Sequence, residues 1–197
     1  MSLFEASRSG LTLRQRWATY LTLLVALGLF AFGLSRQSAA LSRKTFYSDT
    51  ETGISVSYPA NWLRDRSGDY VLRVRDMARK GFKTTLQVAL IPIGADVQTR
   101  NVADRLTLSR AQTLTDYSVL AIEPYVLDSN EIGIGVLYTY VARESSPFLQ
   151  GLPEVIVGYD VIKIARGQAV VATFRAEAGL YESEFHVFED FLRSLVF

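Results

Sequence analysis

The chain contains no cysteine and only one histidine, His186, among its 197 residues. Thiolates and imidazoles are the usual protein ligands of zinc and copper, so we expect no transition-metal site. The same histidine would have to serve any Ser-His-Asp triad, and the sequence has no G-x-S-x-G motif to accompany it. We therefore predict that the protein is not an enzyme and that it has no catalytic residues, no bound metal and no cofactor.

The chain also lacks a strong excess of either charge, with Lys+Arg 21 against Asp+Glu 20 and a net charge of +1. A nucleic-acid-binding protein would show a large basic excess, so we expect no nucleic-acid partner. A hydrophobic fraction of 49% excludes a disordered chain. The total hides two different parts: residues 1–43 carry five arginines and one glutamate, net +4, and residues 44–197 carry 16 basic and 19 acidic residues, net −3.

Charge is absent from the nineteen residues 17–35, which read WATYLTLLVALGLFAFGLS. A helix with a rise of ~1.5 Å per residue would extend roughly 28 Å over this segment, which matches the hydrocarbon core of a bilayer. A cleaved signal peptide is the alternative, because small residues at 38–40 form a plausible cleavage site, but the apolar run is longer than usual and Arg36 would interrupt it. We predict a retained transmembrane helix with the anchor residues Trp17, Tyr20, Ala26, Gly28 and Gly33.

The orientation of this helix is not decided by its flanking charges, because arginines stand on both sides of it. Arg14 and Arg16 directly precede the apolar run, and a short N-terminus before a long domain is the common single-pass arrangement. We predict a short cytoplasmic N-terminus at residues 1–16, the transmembrane helix at 17–35 and a linker at 36–44. The globular domain, residues 45–197, would lie outside the cytoplasm, in a periplasm, a lumen or the extracellular space.

After residue 44 the hydrophobic pattern becomes typical of an α+β domain. Period-two alternation predicts strands at residues 46–48, 54–58, 70–75, 84–93, 118–127, 132–143, 154–166 and 168–178. A period of three to four residues predicts helices at 100–115 and 181–195. Tight turns at residues 128–130 and 166–167 predict that the last four strands form an antiparallel meander. We expect one large antiparallel β-sheet flanked by helices.

Residues 46–62 read FYSDTETGISVSYPANW, with a Gly-centred turn at Gly53, a strand that ends in Tyr58 and Pro59, and Trp62 shortly after it. This segment resembles the opening hairpin of the PsbP/Mog1-like superfamily, and residues 192–195 are similar to the end of its closing helix. The resemblance implies a PsbP-like α/β/α sandwich. It also implies docking rather than catalysis, because the superfamily includes photosystem accessory proteins, a nuclear-transport factor that binds a small GTPase, and bacterial envelope lipoproteins.

Two features of the predicted domain are typical of contact surfaces. Residues 64–83 hold a basic strip, whose strand would expose a positive face to an acidic partner or to lipid headgroups; an ordinary solvated face is the alternative. The basic strip consists of Arg64, Arg66, Arg73, Arg75, Arg79, Lys80 and Lys83. The loop 144–153 contains Phe148, Leu149 and Leu152, which either fold onto the core or form an apolar docking surface.

These observations predict a single-pass, membrane-anchored and non-catalytic accessory or assembly subunit of a larger membrane protein complex. Its partners would be the lipid bilayer and the other subunits of that complex. The alternative is a tethered extracytoplasmic protein that binds a small ligand or a lipid between sheet and helix, which requires a pocket of roughly 300 Å³ or more. The acidic residues Glu182 and Glu184 are expected on the solvated face of the last helix.

Overall fold

A computed structural model describes residues 13–41, 43–94, 96–127, 131–143, 145–146, 149–150 and 152–197 of the chain. The predicted N-terminal segment 1–16 lies mostly outside these residues. The chain divides into two units between Arg43 and Lys44. Each unit is described by itself.

The first unit contains one helix, α1 (Leu13–Leu41), which includes the apolar segment 17–35. Its side chains are described at residues 17–33, and the large apolar ones are exposed, among them Trp17, Leu24 and Leu27. The expectation of a membrane-spanning segment is not supported here: within the residues described, no helix is both long and apolar enough to cross a bilayer.

The second unit begins with the predicted hairpin, in which β1 (Lys44–Ser48) pairs antiparallel with β2 (Ser55–Pro59). Gly53 has a φ of 72°, which explains glycine at this turn, and its N–H donates to the Asp49 carbonyl at 2.9 Å. The hairpin forms a sheet of its own and does not extend the large sheet as we expected. The reason is that β2 packs against the C-terminal segment: Ser55 forms a bridge with Val196, and the N–H of Ser57 donates to Ser194 Oγ at 2.9 Å.

The remaining strands follow the predicted order with three short additions. They are β3 (Leu63–Arg64), β4 (Leu72–Arg75), β5 (Thr85–Pro92), β6 (Thr115–Val126), β7 (Ile132–Ala142), β8 (Ser145–Ser146), β9 (Leu149–Gln150), β10 (Glu154–Ala165) and β11 (Gln168–Glu177). Seven of them form an antiparallel sheet in the order β3-β4-β5-β11-β10-β7-β6, and β8 pairs with β9 inside the predicted loop 144–153. The predicted meander of β6, β7, β10 and β11 is confirmed.

Two helices cover opposite faces of the large sheet. The helix α3 (Tyr181–Ser194) packs its aromatic face on one side, where the Phe188 ring stacks on Phe174 with 5.6 Å between ring centroids. The helix α2 (Thr99–Thr113) packs on β6, β7 and β10 from the other side, with Val102 buried against the core that includes Ile156 and Ile162. The observed architecture is an α+β fold in which antiparallel strands are flanked by helices, as the pattern of periods predicts.

Candidate functional site

The basic strip is less free than the sequence suggests, because several of its cations are paired within the domain. Arg75 on β4 forms an ion pair with Asp65, with 2.7 Å between Nη2 and Oδ1. Arg79, in the loop between β4 and β5, pairs with Asp76 at 3.5 Å and also with Glu184 of α3. The expectation of a freely exposed positive strand is therefore wrong for Arg73 and Arg75, which are half-buried.

Glu184 is the partner that fixes this basic loop. It was expected in solvent, but it is only 6% exposed and accepts a hydrogen bond from the Thr84 hydroxyl in addition to the Arg79 contact. Glu184 lies four residues before Phe188, on the same face of α3, so the helix carries it into the interior. Lys83 completes the loop by donating from Nζ to the Arg79 carbonyl at 2.6 Å.

Besides Arg79, which is exposed but paired, three members of the basic strip lie at the surface. Arg66 and Lys80 are exposed, and Arg64 is exposed with its guanidinium carbon 4.5 Å from the centroid of the Tyr47 ring. The rest of the basic strip holds the loop and the strand in shape. Arg66 and Lys80 are consequently the residues of the strip whose charge is available to a partner at little structural cost.

Two arginines meet across β5, on the same face of the large sheet that α2 covers farther along. Arg73 donates from Nε to Gln87 Oε1 at 2.9 Å, and Arg175 of β11 donates from Nη2 to the same oxygen at 3.1 Å. The strand register explains the meeting, because Gln87 lies opposite Arg73 and the neighbouring residue Thr85 lies opposite Arg175. One neutral amide oxygen thus serves two guanidinium groups.

The charges of this pair are not balanced by the described residues around them. Burial lowers the pKa of Arg73, and the nearby charge of Arg175 lowers it further. Asp65 acts in the opposite direction, but this carboxylate is already paired with Arg75. The Nε of Arg175 is buried and has no hydrogen-bond partner among the residues that the structure describes.

A third charged pair lies beneath α2. Asp160 of β10 is 1% exposed, pairs with Arg110 of α2 and accepts a hydrogen bond from Thr173 Oγ1 at 2.7 Å. Burial acts to lower the pKa of Arg110, but the adjacent Asp160 carboxylate outweighs it, so the pKa is raised. The Arg110 guanidinium also lies over the Tyr138 ring, 4.5 Å from its centroid. The Asp160 carboxylate, the Arg110 guanidinium and the Thr173 hydroxyl thus satisfy one another, which is typical of a structural ion pair.

The predicted apolar loop is only partly described. Phe148 lies outside the described residues, and Leu149 is in β9 without a described side chain. Leu152 is described and is 84% exposed, so its side chain does not fold onto the core. The anchor residues Trp17 and Tyr20 are exposed on α1.

Two surface cavities exceed the size that a small-ligand site requires. One, of about 340 Å³, lies between the end of β5 and α2 and is lined mainly by apolar residues, including Ile91, Val97 and Leu106. The other, of about 420 Å³, lies near the end of α3 and includes Lys163, Leu195 and Phe197. The first has the position between sheet and helix that the ligand-binding hypothesis requires.

The single histidine, His186, is exposed on α3. Within the described residues, no group of three His, Cys, Asp or Glu side chains is placed to hold a metal ion.

Comparisons with known proteins find similarity in structure only. No family model matches the chain, and no curated protein matches its sequence. The solution structure of cyanobacterial PsbP from Synechocystis sp. PCC 6803 matches with a TM-score of 0.51 and 17% identity, over 78% of this chain and 91% of that one. The Ran-binding protein Mog1p of Saccharomyces cerevisiae matches with a TM-score of 0.52 and 11% identity, over 78% of this chain and 95% of that one. This chain therefore has a PsbP/Mog1-like fold.

Proposed function

We propose that the protein is a non-catalytic accessory or assembly subunit that docks onto a larger membrane protein complex. The observation that carries the proposal is the basic loop between β4 and β5, which is fixed from within by Glu184 and still exposes Lys80. A loop whose backbone is held in place loses little conformational freedom on binding, so its exposed charges are suited to a specific partner.

The fold is compatible with a docking role. One protein of similar structure is described as Ran-binding, which indicates that this architecture can present a surface to a protein partner. Leu152 lies just before the first residue of β10, and it adds an exposed apolar side chain to the surface of the domain.

Membrane attachment through residues 17–35 is the second part of the proposal. It is supported by the uncharged apolar sequence of the segment and by the exposed apolar side chains of α1, including Leu21 and Phe30. Such side chains gain free energy when a bilayer removes them from water, about 25 cal/mol per Å² of apolar surface. We propose a single-pass arrangement with the N-terminus in the cytoplasm and the domain outside it.

Native purification in mild detergent tests the docking role. Arg66→Glu and Lys80→Glu reverse charges that form no described ion pair, unlike Arg75 and Arg79, so they change the surface without removing a structural contact. We expect the double variant to lose most of a co-purifying complex, whereas the control Arg100→Glu, on the exposed side of α2, retains it. A chain that purifies alone, or equal losses in both variants, would refute the docking surface.

The absence of cysteine offers a direct test of orientation, because a single introduced thiol is the only one in the chain. Leu152→Cys places a thiol at an exposed position in the domain, and Ser7→Cys places one in the N-terminal segment. A membrane-impermeant maleimide applied to intact cells should label the first variant and not the second. The reverse pattern would overturn the orientation, and labelling of neither before lysis would place the domain inside the cell.

The cavity between β5 and α2 favours a second candidate function, the binding of a small apolar ligand or a lipid. Its volume of about 340 Å³ and its apolar lining meet the size and the chemistry of such a site, and Arg105 at its border could contact an anionic headgroup. Native mass spectrometry of the purified chain should then detect a bound lipid. Leu106→Trp, which fills the cavity, should remove that lipid; an unliganded wild-type protein would count against this candidate.

A further inference from the structure

Arg73 of β4 and Arg175 of β11 both donate to the side chain of Gln87, which lies between them on β5. We propose that Arg73, Gln87 and Arg175 form a carboxylate-binding site that receives an acidic side chain of the docking partner. The inference rests on the proposed docking function and names the chemistry of the partner.

Geometry is the first argument for the site. Gln87 Oε1 accepts from Arg73 Nε at 2.9 Å and from Arg175 Nη2 at 3.1 Å, so the amide holds both guanidinium groups on one face of the sheet. The Tyr70 ring supports the other side of Arg73, with its centroid 4.1 Å from the guanidinium carbon. Both cations are therefore positioned before any partner arrives, which reduces the entropy lost on binding.

Unbalanced charge is the second argument. Two cations that share one neutral acceptor repel each other, and the pKa of Arg73 is lowered by burial and by the charge of Arg175. The structure compensates its other half-buried arginines differently: Arg75 has Asp65, and Arg110 has Asp160. Among the described residues, neither Arg73 nor Arg175 has a carboxylate of its own: both donate to Gln87, and Arg175 also bonds the Tyr140 side chain.

The geometry of the donors points to a carboxylate. Guanidinium groups present planar N–H pairs that match the two oxygens of a carboxylate, and such charge-assisted hydrogen bonds are about twice as strong as neutral ones. The two arginines are only half-buried, so a small free anion bound to them would remain partly hydrated and gain little. A protein partner excludes water from the face as it docks, which strengthens the same contact.

Fluorescence anisotropy of a labelled hexaglutamate peptide with the full-length protein in detergent tests the site. Substitution of an arginine that binds the carboxylate should weaken peptide affinity by about five-fold or more, after allowance for screening in an open site. Arg175→Gln and Arg73→Gln are the test variants, and Arg100→Gln, which removes an exposed arginine on α2, is the matched control. Because Arg175 is half-buried, a far-UV spectrum and a melting midpoint establish that its variant is folded; Arg73→Gln, near the sheet edge, provides the second test.

Saturating peptide should also shift the Nε–Hε resonances of Arg73 and Arg175 in an arginine-selective spectrum and leave that of Arg100 unchanged. Equal affinity losses in the test and control variants would overturn the site. Binding of inorganic phosphate that displaces the peptide and shifts the same resonances at lower concentration would overturn the choice of a carboxylate partner. The co-purification experiment tests the docking function separately. If the Arg66 and Lys80 double variant loses the complex but Arg175→Gln binds the peptide as well as the wild type does, the carboxylate site is rejected and the docking function is not.

Discussion

Arg110 and Asp160 fasten α2 to the sheet through two hydrogen bonds, one of which joins Nη2 to Oδ1 at 3.1 Å. Asp160 is almost fully buried, and the side chain of Arg110 is 19% exposed. Removal of one partner from such a pair leaves an uncompensated charge in a region of low dielectric constant. The cost is larger than the net contribution of the intact pair.

We expect Asp160→Ala to lower the free energy of unfolding by about 3 kcal/mol in urea titrations at pH 7. Asp104→Ala is the control, because it breaks an exposed pair with Arg100 on the same helix and should cost less than about 0.5 kcal/mol. A double variant, Arg110→Met with Asp160→Leu, should be more stable than Asp160→Ala. Equal losses of unfolding free energy for Asp160→Ala and Asp104→Ala would show that breaking the buried pair costs no more than breaking the exposed one.

The two buried carboxylates illustrate how far the sequence predicts this fold. Asp160 lies on the same face of β10 as the buried Ile156 and Ile162. Glu184 lies one helical turn before the buried Phe188, so periodicity places both carboxylates inside. The residue type suggested solvent for Glu184, and that interpretation was wrong. Its hydrogen-bond partner Thr84 is 100 residues away, and no local pattern indicates that the two meet.

Element types and the meander followed from local periodicity and turn residues, whereas the separate hairpin and the arginine pair depend on long-range contacts. Arg175 shares its strand face with the buried Thr173, so alternation along β11 indicates which side of the sheet it occupies. Its meeting with Arg73 requires the non-sequential neighbours β5 and β11, a pairing that the strand order in the sequence does not specify.

The close approach of Gly158 to the Tyr138 ring gives a prediction about packing. A Cβ atom at this position would lie 2.2 Å from Cζ of Tyr138, whose ring is fully buried and contacts the Arg110 guanidinium. The ring is packed against those of Tyr117 and Tyr140, so displacing it costs packing, and Gly158→Ala should lower the unfolding free energy by about 1–3 kcal/mol. Gly179→Ala, where the added Cβ meets nothing within 4 Å, should change it by less than about 0.5 kcal/mol. Thermal and urea unfolding of both variants would reveal the difference, and equal stability would contradict the close approach.

Glu184 predicts the protease sensitivity of the basic loop. Glu184→Gln keeps an acceptor for the Thr84 hydroxyl but removes the charge that pairs with Arg79, so the loop should open more often. We expect limited trypsin digestion to cleave at Arg79, Lys80 or Lys83 several-fold faster than in the wild type. The control Glu182→Gln changes an exposed residue on the same helix and should leave the rate unchanged. Unchanged cleavage in Glu184→Gln would show that the loop is held by other contacts.

The pairing of Lys44 with Asp190 joins β1 to α3, with 2.9 Å between Nζ and Oδ2, and predicts a measurable acid-side titration. The hydrogen bond and charge of Lys44 lower the pKa of Asp190 below 3.8, and Arg193 and His186 contribute in the same direction. Because the folded-state pKa is lowered, the stabilising contribution is present above about pH 3.8 and is lost as the pH falls through the folded-state pKa.

A carboxyl NMR titration of Lys44→Gln should give a higher Asp190 midpoint than the wild type, though Arg193 still influences it. Lys80→Gln, which removes an exposed lysine from the basic loop, should leave the midpoint in place. An unchanged midpoint in Lys44→Gln would show that the contact does not persist in solution.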